Sequence, residues 1–257
     1  MAEAGISWPF LTMNDDMMAK IRAFQQEQAA IRAARRAQLE GMNYVIPGDL
    51  FTEEDSLPQY PWVWFRGQLV VLKPSGQQEQ PNVFGGVANT AWRGLAKGCR
   101  PYRVLDLDPQ SLHLQLPNTG TFSRRLPLFH PLKCSKGPEM LYRIEQDGSV
   151  TATKSPAATR GDREWPYPDY PESLPAQGLA VEGPYPIPFL LLLEGDSGNS
   201  FCPQPLPEDA DQFLVVVVPA CNETFGMSLL GEDAEGAQIV FLVHPETGAV
   251  WTYNHCG

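Results

Sequence analysis

Between Asn14 and Glu40 the residues Met17, Ile21, Phe24, Gln28, Ile31 and Ala34 recur at three- and four-residue spacing, the period of an α-helix with one stripe turned inward. Asn14 suits the N-cap, and Asp15 and Asp16 fall in the first turn, where the helix dipole favours acids. Arg32, Arg35 and Arg36 crowd the other end and Gly41 follows, a natural terminator. The pattern predicts one long helix over 14–40, packed on the body of its own domain through a stripe that thins at Gln28. A coiled-coil or partner helix is the other reading of that stripe.

Beyond Gly41 the period shortens to that of strands. Trp62–Phe65 and Gln68–Leu72 are parted by Arg66-Gly67, which suits a hairpin or bulge. Val104–Leu107 follows, then Leu112–Leu116, which alternates in SLHLQLP like a half-buried strand. Leu141–Ile144 and Val150–Thr153 flank the turn residues Gln146-Asp147-Gly148. Phe189–Leu193 and Phe213–Val218 are apolar on both faces and read as buried strands. Ile239–Val243 and Ala249–Tyr253 are joined by His244-Pro245-Glu246-Thr247-Gly248, a hairpin signal.

Residues 154–188 break this rhythm. Pro156, Pro166, Pro168, Pro171, Pro175, Pro184, Pro186 and Pro188 fall there among Trp165, Tyr167 and Tyr170, which predicts an extended connector. The expected fold is therefore α+β: a long N-terminal helix packed on mainly antiparallel sheets, with two subdomains joined by a Pro-rich connector. The expected divisions are a helix region at 1–41, a strand-rich subdomain at 42–153, the connector at 154–188 and an acidic, β-rich subdomain at 189–257.

Composition refines this picture. In 257 residues there are 25 prolines and 22 glycines, which break the chain often and favour short strands. The first residues carry no basic start before a continuous apolar stretch, and no apolar window approaches a membrane span; the expectation is a cytoplasmic chain without a membrane segment. Cys99, Cys134, Cys202, Cys221 and Cys256 are odd in number and widely spaced, which predicts free thiols in a reducing compartment.

Charge changes the picture most. The net charge of −11 is divided unevenly, with +2 on residues 1–140 and −13 on residues 141–257. After Arg163 there are 14 acids and no Lys or Arg. A surface of one sign keeps molecules apart in solution, or it steers a basic partner into place. Phosphates would be repelled by it, so nucleic acid is excluded as a partner of this face. Three acidic groups border the late strands: Glu194 and Asp196; Glu208, Asp209 and Asp211; Glu232, Asp233 and Glu235. If they gather at one end of a sheet they form a negative rim, with Trp251 and Tyr253 as aromatic anchors.

Catalytic patterns are weaker. Gly195-Asp196-Ser197-Gly198 resembles the nucleophile segment of chymotrypsin-like proteases, but none of His113, His130, His244 and His255 stands in a matching context and Asp-Ser-Gly is also an ordinary turn. His130 with Cys134, and His255-Cys256, lack the paired spacing of a structural zinc site. Asp106 and Asp108 share one face of a strand and could hold a divalent ion, or they form the solvent face of that strand. No phosphate-binding glycine loop is present. No cofactor or metal is expected.

The closing segment Ile239–His255, IVFLVHPETGAVWTYNH, resembles the final hairpin of SUKH-like bacterial toxin-immunity proteins, with His244 where that pattern carries Asp. The resemblance covers roughly the last 20 residues. It implies an α+β antidote that binds a toxin, in many cases a basic nuclease, and type VI secretion immunity proteins have this size and character. The expectation is a non-enzymatic binding protein that occludes a basic protein partner. The alternatives are a hydrolase using Asp106/Asp108 or Ser197 with a distant His, and a structural or chaperone-like partner acting through the 14–40 helix.

Overall fold

The computed structural model describes residues 37–47, 59–77, 79–133, 139–158, 170–194, 206–207, 209–222, 225–230 and 237–255, with positions 19–20, 22–23, 26–27, 30 and 33–34. The chain divides into two units, Met1–Met42 and Asn43–Gly257. In the first, the described positions from Ala19 to Leu39 are helical, and all but Leu39 are exposed.

The second unit is nearly all β. Its strands are β1 (Trp62–Phe65), β2 (Gln68–Pro74), β3 (Asn82–Phe84), β4 (Trp92–Arg93), β5 (Tyr102–Leu107), β6 (Leu126–His130), β7 (Met140–Ile144) and β8 (Val150–Lys154). They continue with β9 (Gln177–Pro186), β10 (Leu214–Pro219), β11 (Cys221–Asn222), β12 (Met227–Ser228), β13 (Gln238–Val243) and β14 (Ala249–His255). A short helix, α1 (Phe189–Glu194), and short 3-10 turns interrupt them. Twelve strands form one sheet in the order β4-β8-β7-β14-β13-β10-β1-β2-β9-β3-β5-β6, and β11 and β12 pair separately.

Alternation builds the core. Val63 and Phe65, Val70 and Leu72, Leu214, Val216 and Val218, and Ile239, Phe241 and Val243 all face one apolar interior. The opposite face of β1 and β10 is buried too, through Trp64, Val215 and Val217. Trp64 donates its indole N–H to the Ile187 carbonyl at 2.7 Å and lies 5.3 Å from the Phe189 ring. The sheet twists until its far edge returns. The Phe129 N–H on β6 donates to the Tyr142 hydroxyl on β7 at 2.8 Å, and His130 meets Thr252 on β14 at 2.8 Å. The Trp92 ring packs edge-on against both Phe129 and Tyr142. The result is a roll with apolar side chains inside.

The α+β expectation is therefore corrected. Of the predicted stripe, Met17, Ile21, Phe24, Gln28 and Ile31 lie outside the described residues, and Ala34 is exposed. The mass of buried surface belongs to β-branched and aromatic strand residues. The second unit is organised by its twelve-stranded sheet. The two subdomains are corrected as well. β1 pairs with β10 and β7 with β14, so residues on either side of the connector interleave in one sheet. The connector itself contributes β9, between β2 and β3. Its ladder to β2 slips between Leu69 and Val71, opposite Tyr185 and Glu182, where Gly183-Pro184 offers no proline N–H to pair.

Two strands read from the sequence have other shapes. Phe189–Leu193 is helical in α1, with Leu191 N–H donating to the Pro188 carbonyl at 3.0 Å. A run of leucines after proline favours a helix, whereas the valines of β10 are stiff at χ1 and take the strand. Leu112–Leu116 is not a strand. Pro109–Leu112 is a 3-10 turn capped by Asp108, whose side chain accepts from the Gln110 N–H, and His113 ends it at φ 58°. The hairpins at 62–72, 141–153 and 239–253 are present as strand pairs.

Candidate partner-binding face

β8, β7 and β14 lie side by side near one margin of the sheet. Their inward residues are buried: Val150 and Ala152, Met140, Tyr142 and Ile144, Val250 and Thr252. Their outward residues, including Thr151, Thr153, Leu141, Arg143, Ala249 and Trp251, stay partly open to solvent. Trp251 stands opposite Leu141 on one side and Leu242 on the other. Its ring lies 4.9 Å from that of Tyr253, tilted by 42°. Ala249, two residues back on the same face, is too small to fill the space beside the indole. The consequence is an apolar groove of about 360 Å³ lined by Leu141, Thr153, Phe213, Leu242, Ala249 and Trp251 among others.

The strand order decides which loops meet at the groove's end. β10 begins at Leu214 opposite Val243, the last residue of β13. The turn after Val243 leads into Ala249, which pairs with Arg143 near the end of β7. Three acidic pieces therefore converge: the 3-10 turn Ala210–Gln212 with Asp209 and Asp211, the β13–β14 turn with Glu246, and the β7–β8 turn with Glu145 and Asp147. Phe213 bridges the first two, its ring 5.6 Å from His244.

Arg143 donates to the Glu145 carboxylate from two nitrogens at 3.1 and 3.2 Å, and those bonds hold Glu145 below the usual carboxylate range. Asp147 is lowered too, first by the Ser149 hydroxyl and backbone N–H. Arg124 donates to the Ile144 and Glu145 carbonyls, and Arg93 adds a weaker positive influence at Asp147. Among the described residues, Asp147, Asp209, Asp211 and Glu246 form no ion pair. This end of the roll is acidic with some local compensation.

The residues singled out in the sequence fall in different places. Trp251 and Tyr253 lie on the groove face, and Asp209 and Asp211 at its acidic end. Glu194 closes α1, but its side chain lies outside the described residues, as do Asp196, Glu208, Glu232, Asp233 and Glu235. β10 and β13 run antiparallel, so the segment leading into β10 and the one leading into β13 join the sheet at opposite ends. Two other late acids are compensated from the first half of the chain. Glu172 pairs with Arg100 at 3.2 Å, and Glu182 with Lys73 at 2.5 Å.

The chemical candidates are occupied structurally. Asp106 is held by Arg103 at 3.2 Å and Arg125 at 3.1 Å, and Arg103 also donates to the Gly85 carbonyl. Asp108 caps a turn, and its backbone N–H donates to the buried Asn82 side chain at 2.9 Å. The His244 Nδ1 accepts from the Glu246 and Thr247 N–H groups inside its own turn. His130 is sealed in the core, where desolvation pushes its pKa down to about 3. Burial pushes the Cys99 thiol up to about 11, against a bond to Ser155. Ser197 and Cys134 lie outside the described residues. Among the described residues no cluster of His, Cys, Asp or Glu could hold a metal ion, and no helix is long and apolar enough to cross a membrane.

No family model, curated protein or solved structure matches the chain.

Glu145, Asp147, Glu246 and Phe213 are not marked in the sequence as parts of a site. The turn signals at 146–148 and 244–248 were the available clue, because polar residues at hairpin tips point away from the core. Their meeting required the β7–β14 pairing, which no local signal announces.

Proposed function

We propose that this chain is a non-enzymatic binding protein, an antidote that neutralises a basic, nuclease-type toxin by covering it with the acidic end of the roll. The observation that carries the reading is the convergence of Asp209, Asp211, Glu246 and Asp147, without ion pairs among the described residues, beside the half-buried rings of Trp251 and Tyr253. Unpaired carboxylates steer a cationic protein, while aromatic rings supply contact area that stays rigid on binding. The resemblance of Ile239–His255 to SUKH-like immunity proteins supports the same reading, and it makes type VI secretion a setting to test.

Occlusion needs no bond chemistry. It needs an interface of about 1,200–2,000 Å² and an association rate that falls with salt. The direct test is co-expression with basic proteins encoded beside this chain's gene. One of them should arrest growth alone and be tolerated with the wild-type chain. Asp209→Lys with Asp211→Lys should weaken that complex by at least about tenfold, mainly by slowing association. Absence of any toxic, rescued neighbour would remove the antidote reading. A complex indifferent to the reversals would remove this site.

A further inference from the structure

The groove beside Trp251 has a property that the acidic end alone does not supply. Its lining is almost wholly apolar, from Leu141, Phe213, Leu242, Ala249 and the indole face. Its floor is open because Ala249 is small, and its volume of about 360 Å³ exceeds that of a single side chain. Arg143, on its wall, is turned to Glu145 at 3.1 Å, which offsets part of its charge. The Trp251 indole N–H is buried and meets no acceptor among the described residues, so the ring presents its apolar surface to the groove.

We infer that this groove is a docking site for an extended segment of a basic protein, seating one or two apolar side chains between Trp251, Phe213 and Leu141 while Lys or Arg residues flanking them face Asp209, Asp211 and Glu246. Charge complementarity selects that occupant. An apolar slot with the carboxylate-bearing turns of the same sheet end beyond it favours an apolar anchor bracketed by cations, and it repels the same anchor bracketed by acids. The inference rests on the binding-protein reading above and names the recognition element within it.

Three hexapeptides test it on the full-length protein: Lys-Lys-Leu-Phe-Lys-Lys, Glu-Glu-Leu-Phe-Glu-Glu and Lys-Lys-Gly-Ser-Lys-Lys. Each is titrated to about 5 mM, a range suited to a short ligand with few anchors, and followed by the Trp251 indole N–H resonance, assigned with Trp251→Phe. The first peptide should shift that resonance saturably. The other two should bind at least about tenfold more weakly, the second for want of charge complementarity and the third for want of an anchor. Ala249→Phe fills the groove from its floor and Thr153→Phe from its wall; both positions are exposed. Either variant, once shown to keep its melting temperature and strand signature, should reduce binding of the first peptide by about tenfold.

Several outcomes overturn the inference. One is no shift at Trp251 with any peptide, and another is equal binding of the lysine and glutamate peptides. A third is retained binding in both filled variants; if Asp209→Lys with Asp211→Lys still weakened the lysine peptide, the acidic site would stand and the groove alone would fall. The last is a wild-type dimer that Ala249→Phe converts to monomer, which makes a second copy the occupant. The growth-rescue assay is scored independently, so failure of the antidote reading and failure of the groove are told apart.

Discussion

His130 lies wholly inside the roll, with its Nδ1 2.8 Å from the Thr252 hydroxyl and its ring edge-on to Phe241 at 6.3 Å. Desolvation holds its pKa at about 3, against an ordinary value of 6.5. Between those two values the unfolded chain binds a proton that the folded chain does not. Stability therefore falls as pH drops below about 6.5, by about 1 kcal/mol per unit near pH 6 to 5 and toward 1.4 below that. Urea unfolding at pH 6.5, 6.0, 5.5 and 5.0 checks the slope, and His130→Leu should flatten it in that window whatever its effect on absolute stability. An unchanged slope would mean that His130 reaches solvent. Asp106 makes the opposite case at the same scale: two guanidinium groups anchor it, so its place beside Asp108 in the sequence marks a structural tie.

At the scale of elements, the chemistry of each run decides its shape and the pairing decides its weight. β10 and β13 are buried on both faces and pair along six residues each, while β4 contributes two residues at an edge. Local opening should follow that difference. Amide exchange is expected to be slowest in β1, β10 and β13 and faster in β4. Phe241, fully buried at the centre of β13, should cost about 3–5 kcal/mol on Phe241→Ala by denaturant unfolding. A loss below about 1 kcal/mol would mean that the two layers of the roll are not packed through that ring.

At the scale of the whole molecule, charge and fold act together. A net charge of −11 and a sequence pI near 4.8 keep copies of the chain apart at neutral pH and stop doing so near the pI. The same acid range removes stability through His130. Solubility measured across pH should pass through a minimum close to 4.8, and light scattering there should rise more slowly for His130→Leu if exposed core contributes to the association. The acidic surface is also less one-sided than the chain's charge map suggests. Lys73 and Arg100 reach Glu182 and Glu172, so part of the positive first half neutralises part of the negative second half.

The amino-acid sequence by itself determined the hairpins and the polarity of the charge. Arg66-Gly67, Gln146-Asp147-Gly148 and His244–Gly248 are local instructions, written in turn residues and period-two alternation, and they act over distances the chain cannot rearrange. Trp251 and Tyr253 were legible as an aromatic pair because they share one face of a strand. Leu versus Val in Phe189–Leu193 and Phe213–Val218 was a weaker signal, since short apolar runs lack a readable period. Only the tertiary structure decided that β1 pairs with β10 across about 150 residues, that the connector supplies β9, and that Asp209, Asp211 and Glu246 meet Glu145 and Asp147 at one end. The physical reason is that strand pairing joins backbone groups that are chemically alike along the whole chain. Partner choice is left to the packing of the complete roll, and a site assembled from three turns exists only once that choice is made.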